Sequence, residues 1–289
     1  MSSDGELDRV LVVGGDSVIG GALVTRLDRM GLPVVWTTRR HDELSERSLH
    51  LDLNDEQSAW NLPEEPFASA VFCAAVASVQ ACEMHPDATR KVNVDQTVAL
   101  VERLRASGTF VAFLSSDMVF DGLRPLITTD QATNPVTHYG RQKADVEEAL
   151  LGHGNEVAVV RLGKVIGPRM PLLTQWIADL KSGIAIQPSG DMVFAPISLD
   201  CVVGLLVHLI MNRRGGIFHA TGPMDITYTD AAYWIADSMG VDRRLVSPVS
   251  GGHIPRSHQP PRHRALYTSL NLAEMGLIGI DSLQELFCV

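Results

Sequence analysis

Positive charge is scarce in this chain: 24 Lys and Arg stand against 34 Asp and Glu, a formal net charge of −10. That balance argues against nucleic acid or an anionic membrane surface as a main partner. Cysteine is scarcer still. Cys73, Cys82, Cys201 and Cys288 form no CxxC pair and no Cys/His metal spacing. They read as reduced packing residues, which makes a disulfide scaffold improbable and leaves no metal in the expected site. Long apolar runs are missing too. The longest near-apolar run, Cys201 to Met211, contains His208 and is too short to span a bilayer. The stretch Met1 to Arg9 is polar and acidic, unlike a secretory signal, so a cytoplasmic protein is expected.

What is there is ordinary globular material. The 289 residues, 45% hydrophobic and 20% charged, suffice for one large domain with an appended lobe. Val10 to Val13 is a short apolar run between a polar stretch and two glycines, and reads as a buried strand. Gly20 to Met30 carries Leu23, Leu27 and Met30 at helical spacing and stops at Gly31. Pro33 to Thr38, Ala70 to Ala75, Phe110 to Ser115 and Val157 to Arg161 are further strand-like runs, separated by helix-length stretches. That cadence implies a doubly wound α/β fold, a parallel sheet covered on both faces. The expected division is a nucleotide-binding domain over 1–163 and a mainly substrate-binding lobe over 164–289. A helix near 198–212 is expected to pack back on the first domain. Ser247 to Pro261, rich in Gly, Pro, His and Ser, reads as a long loop. Arg256 within it, with Arg262 and Arg264 beyond, makes a positive patch that reads equally as solvated arginines or as a lid over an anionic substrate.

The stretch Gly14-Gly15-Asp16-Ser17-Val18-Ile19-Gly20 stands where a strand turns into a helix, the context that a dinucleotide fingerprint requires. Gly14 suits the tight turn, and Gly20 lets helix and strand pack closely. The amides at the helix start, from Asp16 through Ser17 and Val18 to Ile19, would face a pyrophosphate. Ser17 replaces the middle glycine; its Cβ narrows the approach, while its hydroxyl could donate to a phosphate. The alternative is an α/β turn without a cofactor. The second strand ends Thr37-Thr38-Arg39-Arg40, with no acid between Arg29 and His41. A guanidinium there suits a 2′-phosphate, so NADPH is expected over NADH, with Arg39 ahead of Arg40. Two solvated arginines are the bland alternative. In Leu51-Asp52-Leu53, Asp52 could meet the adenine amino group or cap the next helix. Ala74 and Ala75, after Cys73, would let a cofactor lie against backbone.

Tyr139 and Lys143 lie four residues apart, one above the other on a helix face. A nearby ammonium favours phenolate, so the Tyr139 pKa is expected to fall and the phenol to serve as proton donor or acceptor. With four Tyr and four Lys in the chain, one such spacing arises by chance in roughly 5% of such compositions, so the pair needs company. The glycine turn and the Ser115-Ser116-Asp117 segment supply it.

Three stretches now carry a resemblance: Phe113-Leu-Ser-Ser-Asp-Met-Val-Phe-Asp-Gly122, Tyr139-Gly-Arg-Gln-Lys143 and Val160-Arg-Leu-Gly-Lys-Val-Ile-Gly167. From about Val10 to Ala220 the chain resembles extended short-chain dehydrogenase/reductases, and among them the dTDP-4-dehydrorhamnose reductase branch. The resemblance implies a Rossmann-like sheet and reduction of a 4-keto nucleotide sugar by NADP(H). It implies Tyr139 as proton donor, with Lys143 lowering its pKa and holding the nicotinamide ribose. Ser116 would donate to the developing oxyanion, Asp117 would sit beside the substrate, and Asn93 would support Lys143. Met118 and Lys164 stand where the rhamnose-forming enzymes usually carry Tyr and Trp, and Cys73 replaces a familiar Asn. Arg169, Arg262 and Arg264 are candidate diphosphate contacts. A homodimer is compatible with this reading but not inferred from the residues.

Two other readings compete. A sugar epimerase or dehydratase shares the sheet and the Tyr/Lys pair. A dehydratase, however, wants a second acid where the chain has Met118, and such enzymes favour an acid where it has Arg39. A non-catalytic NADP-binding regulatory subunit of the methionine adenosyltransferase β type is similar to the same branch. Intact Ser116, Tyr139 and Lys143 argue for chemistry.

Overall fold

The computed structural model describes residues 9–63, 65–167, 170–250, 263–266 and 287. Its elements begin with β1 (Val10–Val13), α1 (Val18–Arg29), β2 (Val34–Thr38), β3 (Ser48–His50) and β4 (Ser69–Phe72). Next come α2 (Val79–Met84), α3 (Pro86–Arg90), α4 (Thr97–Ala106), β5 (Phe110–Ser116), α5 (His138–Leu151) and β6 (Val157–Leu162). The chain continues through β7 (Lys164–Ile166), α6 (Pro171–Lys181), β8 (Val193–Phe194), β9 (Pro196–Ser198) and α7 (Leu199–Met211). It closes with β10 (Gly216–Ala220), β11 (Ile226–Thr227) and α8 (Tyr228–Ser238).

Seven parallel strands form one sheet in the order β10-β6-β5-β4-β1-β2-β3. This is the doubly wound, Rossmann-like arrangement expected from the strand–helix cadence. The order reverses at β1, so a crevice opens past the carboxyl ends of β1 and β4. Side chains alternate along β1 as a strand requires. Val10 and Val12 join Leu23 and Leu27 of α1 and Leu205, Leu206 and Leu209 of α7 in one core. Leu11 and Val13 join Leu100 and Val101 of α4 and Val146 and Leu150 of α5 in the core on the other face. Each such fully buried aliphatic side chain contributes about 1.5–3 kcal/mol.

The helix expected near 198–212 is α7, started by Ser198, whose Oγ accepts from Cys201 N at 3.1 Å. It is apolar almost all round because it lies on α1 and on the sheet core at once. After it, β10 pairs with β6 and becomes the seventh strand. Residues 199–220 therefore belong with the seven-stranded sheet. The smaller core gathers Ile166, Trp176, Leu180, Phe194, Ala231, Ile235 and Phe287.

Candidate active site

At the end of β1 the chain turns through Gly14, with φ of +83°. A Cβ at Gly14 would fall 2.7 Å from Ala74 N, so the position needs glycine for both conformation and space. Thr37 anchors the turn: its Oγ1 accepts from Gly14 N and its carbonyl from Gly15 N, each at 2.9 Å. Ser17 caps α1. Its Oγ accepts from Gly20 N at 3.0 Å and donates to Gly14 O at 2.8 Å. The hydroxyl is thus engaged inside the turn. Val18 and Ile19 open the helix, where amides lack an intrahelical acceptor, and Val18 is 51% exposed. The turn therefore fits a pyrophosphate through backbone amides rather than through Ser17.

The two arginines after β2 differ. Arg40 Nη1 pairs with Glu43 Oε1 at 2.6 Å, and its Nε lies 4.0 Å from Asp16 Oδ2. Asp16 also accepts from Thr38 Oγ1 at 3.2 Å. Arg39 is exposed and makes no ion pair among the described residues. Asp52 Oδ1 accepts from both Asn54 N and Asn54 Nδ2 at 2.9 Å, a local turn rather than a helix cap. The Leu53 side chain is core. Ala74 N donates to Val13 O at 2.9 Å beside the glycine turn, and Ala75 is exposed.

On α5, Thr137 caps the helix by accepting from Gly140 N at 3.0 Å, which sets Tyr139 and Lys143 one turn apart at its start. Lys143 is buried, donates to Leu114 O at 2.8 Å and lies 4.6 Å from the Phe113 ring centroid. Burial pushes its ammonium down to about 8, against the pull of Glu147, Cys73 and Cys82. The half-buried Tyr139 phenol moves opposite to the sequence expectation. Burial, then Asp117 and Cys82, raise it above its ordinary value. The expected lowering fails because Lys143, turned to the Leu114 carbonyl, is 5.9 Å from the Tyr139 ring centroid.

Ser116 ends β5; its Oγ donates to Asp117 Oδ1 at 3.0 Å and accepts from Met118 N at 3.2 Å. Burial raises the Asp117 carboxyl against the pull of Arg264, Ser116 and Lys164. Lys164, at the start of β7, keeps solvent access, yet desolvation lowers its ammonium against the pull of Asp117. Arg264 is buried and donates through Nη1 to Phe120 O at 3.4 Å. Arg169, Arg256, Arg262 and the loop from 251 lie outside the described residues. Asn93, in a π turn over Lys91–Gln96, accepts from Val76 N at 2.8 Å and donates to Gln142 Oε1 at 2.7 Å. Among the described residues it makes no hydrogen bond to Lys143.

The glycine turn, Tyr139, Lys143, Ser116 and Asp117 gather at the carboxyl edge of the sheet. A groove of about 860 Å³ runs along another flank of α5, past Arg90, Thr133 and Glu148; neither Tyr139 nor Ser116 lines it. The family described as RmlD substrate binding domain matches residues 8–284. The chain belongs to that family. Among proteins similar to this RmlD-family chain is methionine adenosyltransferase 2 subunit beta of Bos taurus, 37% identical over 204 residues. That match covers 65% of this chain and spans 61% of the bovine one. The dTDP-4-dehydrorhamnose reductase of Mycobacterium tuberculosis is 26% identical over 290 residues, covering 97% and 90% of the two chains. The solved dTDP-4-dehydrorhamnose reductase of Bacillus anthracis, in complex with NADP, superposes with a TM-score of 0.81 at 19% identity, over 99% and 98% of the chains. That likeness shows the fold.

Two features of this RmlD-family site escaped the sequence reading. Tyr228 begins α8, and its phenol is raised by burial and then by Asp117, which places it across from the acid. The capping box of Thr227 and Asp230 was the available signal for an ordered helix start there. The second is Glu147, one turn beyond Lys143, which continues the same ladder of side chains into a buried ion pair with Arg161.

Proposed function

We propose that this chain is an NADPH-dependent reductase of a 4-keto nucleotide sugar. The carrying observation is the convergence of Tyr139, Lys143, Ser116 and Asp117 beside a glycine turn that fits a pyrophosphate. Similarity to named sugar-nucleotide reductases supports the same reading. The amides of Asp16, Val18 and Ile19 would hold the pyrophosphate, that of Ser17 being given to Gly14 O, with Arg39 on the 2′-phosphate and Lys143 on the nicotinamide ribose.

When bound, NADPH supplies the hydride; the chain supplies the proton and its surroundings. Tyr139 stays a neutral phenol at working pH because burial raises it, which suits a donor to the substrate carbonyl oxygen. Lys143, its ammonium pushed down to about 8 by burial, is mostly charged at pH 7, as a donor to the ribose hydroxyls requires. The Ser116 hydroxyl, now given to Asp117, turns to the developing oxyanion. Asp117, flanked by Lys164 and Arg264, accepts from a sugar hydroxyl.

Cofactor choice gives a first expected result. Arg39→Ala should raise the NADPH dissociation constant about tenfold or more and leave that of NADH unchanged, as for loss of one charge-assisted phosphate contact. Arg40→Ala should alter NADPH affinity less than twofold or so, because Arg40 already pairs with Glu43. Equal losses for both cofactors in Arg39→Ala would refute the assignment.

The bovine relative favours a second reading, an NADP-binding partner of a methionine adenosyltransferase. One experiment separates the two. Purified protein is mixed with NADPH and a panel of dTDP-, UDP-, GDP- and CDP-linked 4-keto sugars, and absorbance at the reduced-nicotinamide band is followed. Oxidation with at least one sugar supports the reductase. NADPH binding without oxidation, with a methionine adenosyltransferase co-purifying from the native host, supports the partner.

A further inference from the structure

The face of α5 that carries Tyr139 and Lys143 holds a third polar residue one turn on. Glu147 is 2% exposed, and its carboxylate receives the Ser115 hydroxyl and the Arg161 guanidinium. Arg161 Nε lies 3.1 Å from each carboxylate oxygen and Nη2 lies 2.7 Å from Oε2. Arg161, also 2% exposed, stacks 4.9 Å from the Phe120 ring centroid and sends Nη1 to His219 Nε2 at 3.2 Å. A guanidinium only donates, so His219 Nε2 is the acceptor of this contact. Desolvation consumes much of the attraction in such a pair, so cohesion is a weak reason for it. Its use lies in what it holds.

What it holds is β5 against α5. Lys143 donates to the carbonyl of Leu114, and Glu147 accepts from the hydroxyl of Ser115. Successive strand residues thus clasp two helix side chains one turn apart, and the next residue on the strand is Ser116. We propose that Glu147, locked by Arg161, is a positioning residue that fixes the Tyr139–Lys143 face over Ser116 and sets its carboxylate one helical turn from Lys143. The catalytic half of this rests on the reductase reading; the lysine half does not.

The titratable groups facing Lys143 are Tyr139 and Glu147 on α5, Cys73 after β4 and Cys82 on α2. Behind Glu147 stand Arg161 on β6 and, through it, His219 on β10. Asp117 and Cys82 face Tyr139. Between pH 7 and 8, Cys73 is neutral, its thiol pushed up to about 12 by burial, and burial raises Cys82 too. Glu147 is therefore the anion that offsets the desolvation of Lys143. With it removed, Lys143 should lose its proton at lower pH than the wild-type value of about 8.

The chain has only four lysines, Lys91, Lys143, Lys164 and Lys181, so protein labelled at lysine Cε gives four resolvable NMR titrations. Glu147→Gln leaves Arg161 unpaired and stands to unfold. The double variant Glu147→Gln/Arg161→Gln removes both charges, and Glu147→Asp keeps the anion but shortens its reach. In the double variant the Lys143 titration should move down by at least one pH unit, and the alkaline limb of kcat/KM with it. In Glu147→Asp, kcat should drop about tenfold with KM within twofold. A Lys143 titration unmoved in whichever neutral variant folds, or unchanged kcat in Glu147→Asp, overturns the proposal. If wild-type protein oxidises no NADPH with any keto sugar, the reductase reading falls, and the lysine titration still decides the role of Glu147.

Discussion

Tyr139→Phe is expected to lower turnover at least a hundredfold while NADPH affinity stays within about twofold. A positioned general acid is worth about 10²–10⁴ in rate, and this substitution removes the acid and nothing else. The ring remains to fill its half-buried place at the start of α5, and the Thr137 cap and the Lys143 bond to Leu114 O do not involve the hydroxyl. Burial and Asp117 hold the phenol above its ordinary value, so a neutral donor is lost, not a phenolate base. Tyr228→Phe serves as control: it too faces Asp117, but it packs on Phe194 and Trp176 in the smaller core. It should shift KM more than kcat. Single-turnover rates at saturating NADPH read the difference directly. Near-full turnover in Tyr139→Phe would remove the proposed mechanism.

The sheet was legible because its strands are short apolar runs and its helices carry apolar residues at helical spacing; both signals are local. β10 was not read. Its sequence, Gly-Ile-Phe-His-Ala, holds His219, which is 2% exposed and is bonded by Arg161, 58 positions earlier. No local pattern announces that partner. The Tyr139/Lys143 spacing was legible for the same reason that the helices were. The direction of the Tyr139 shift was not, since it depends on which group Lys143 faces, and the lysine turns to a carbonyl on β5. Ser17 shows the same limit. Its type suggested a phosphate donor, while the geometry of the turn makes it a cap. Arg39 over Arg40 was a ranking by position alone, and the pairing of Arg40 with Glu43 supplies a physical ground for it.

Gly140→Ala is the second large effect, and here local and tertiary physics predict opposite signs. Alanine is a better helix former than glycine by about 1 kcal/mol, so a substitution inside α5 should stabilise. A Cβ at Gly140, however, would stand 2.1 Å from Met118 O and 3.0 Å from Met118 C, with Pro135 Cβ at 3.1 Å. Those Met118 atoms are backbone and cannot swing aside as a side chain would. Either the first turn of α5 or the Asp117–Val119 turn must retreat, by roughly 1 Å to reach ordinary contact, and misplacement of that size can cost about 10²-fold in rate. Tyr139 precedes Gly140 on one side of the contact, and Ser116 and Asp117 lead into Met118 on the other, so the retreat opens the distance that proton transfer needs. The expected outcome is a lower melting temperature and a kcat reduced tenfold or more. NADPH affinity should fall less than kcat, because the glycine turn sits on β1 and α1 and only the Lys143 contact to the ribose rides on α5. Gly152→Ala, with nothing within 4 Å of the added Cβ, controls for the bare effect of alanine near the same helix and should leave activity intact. If Gly140→Ala proves as stable and active as Gly152→Ala, the close approach of α5 to Met118 is not what sets Tyr139 over Ser116.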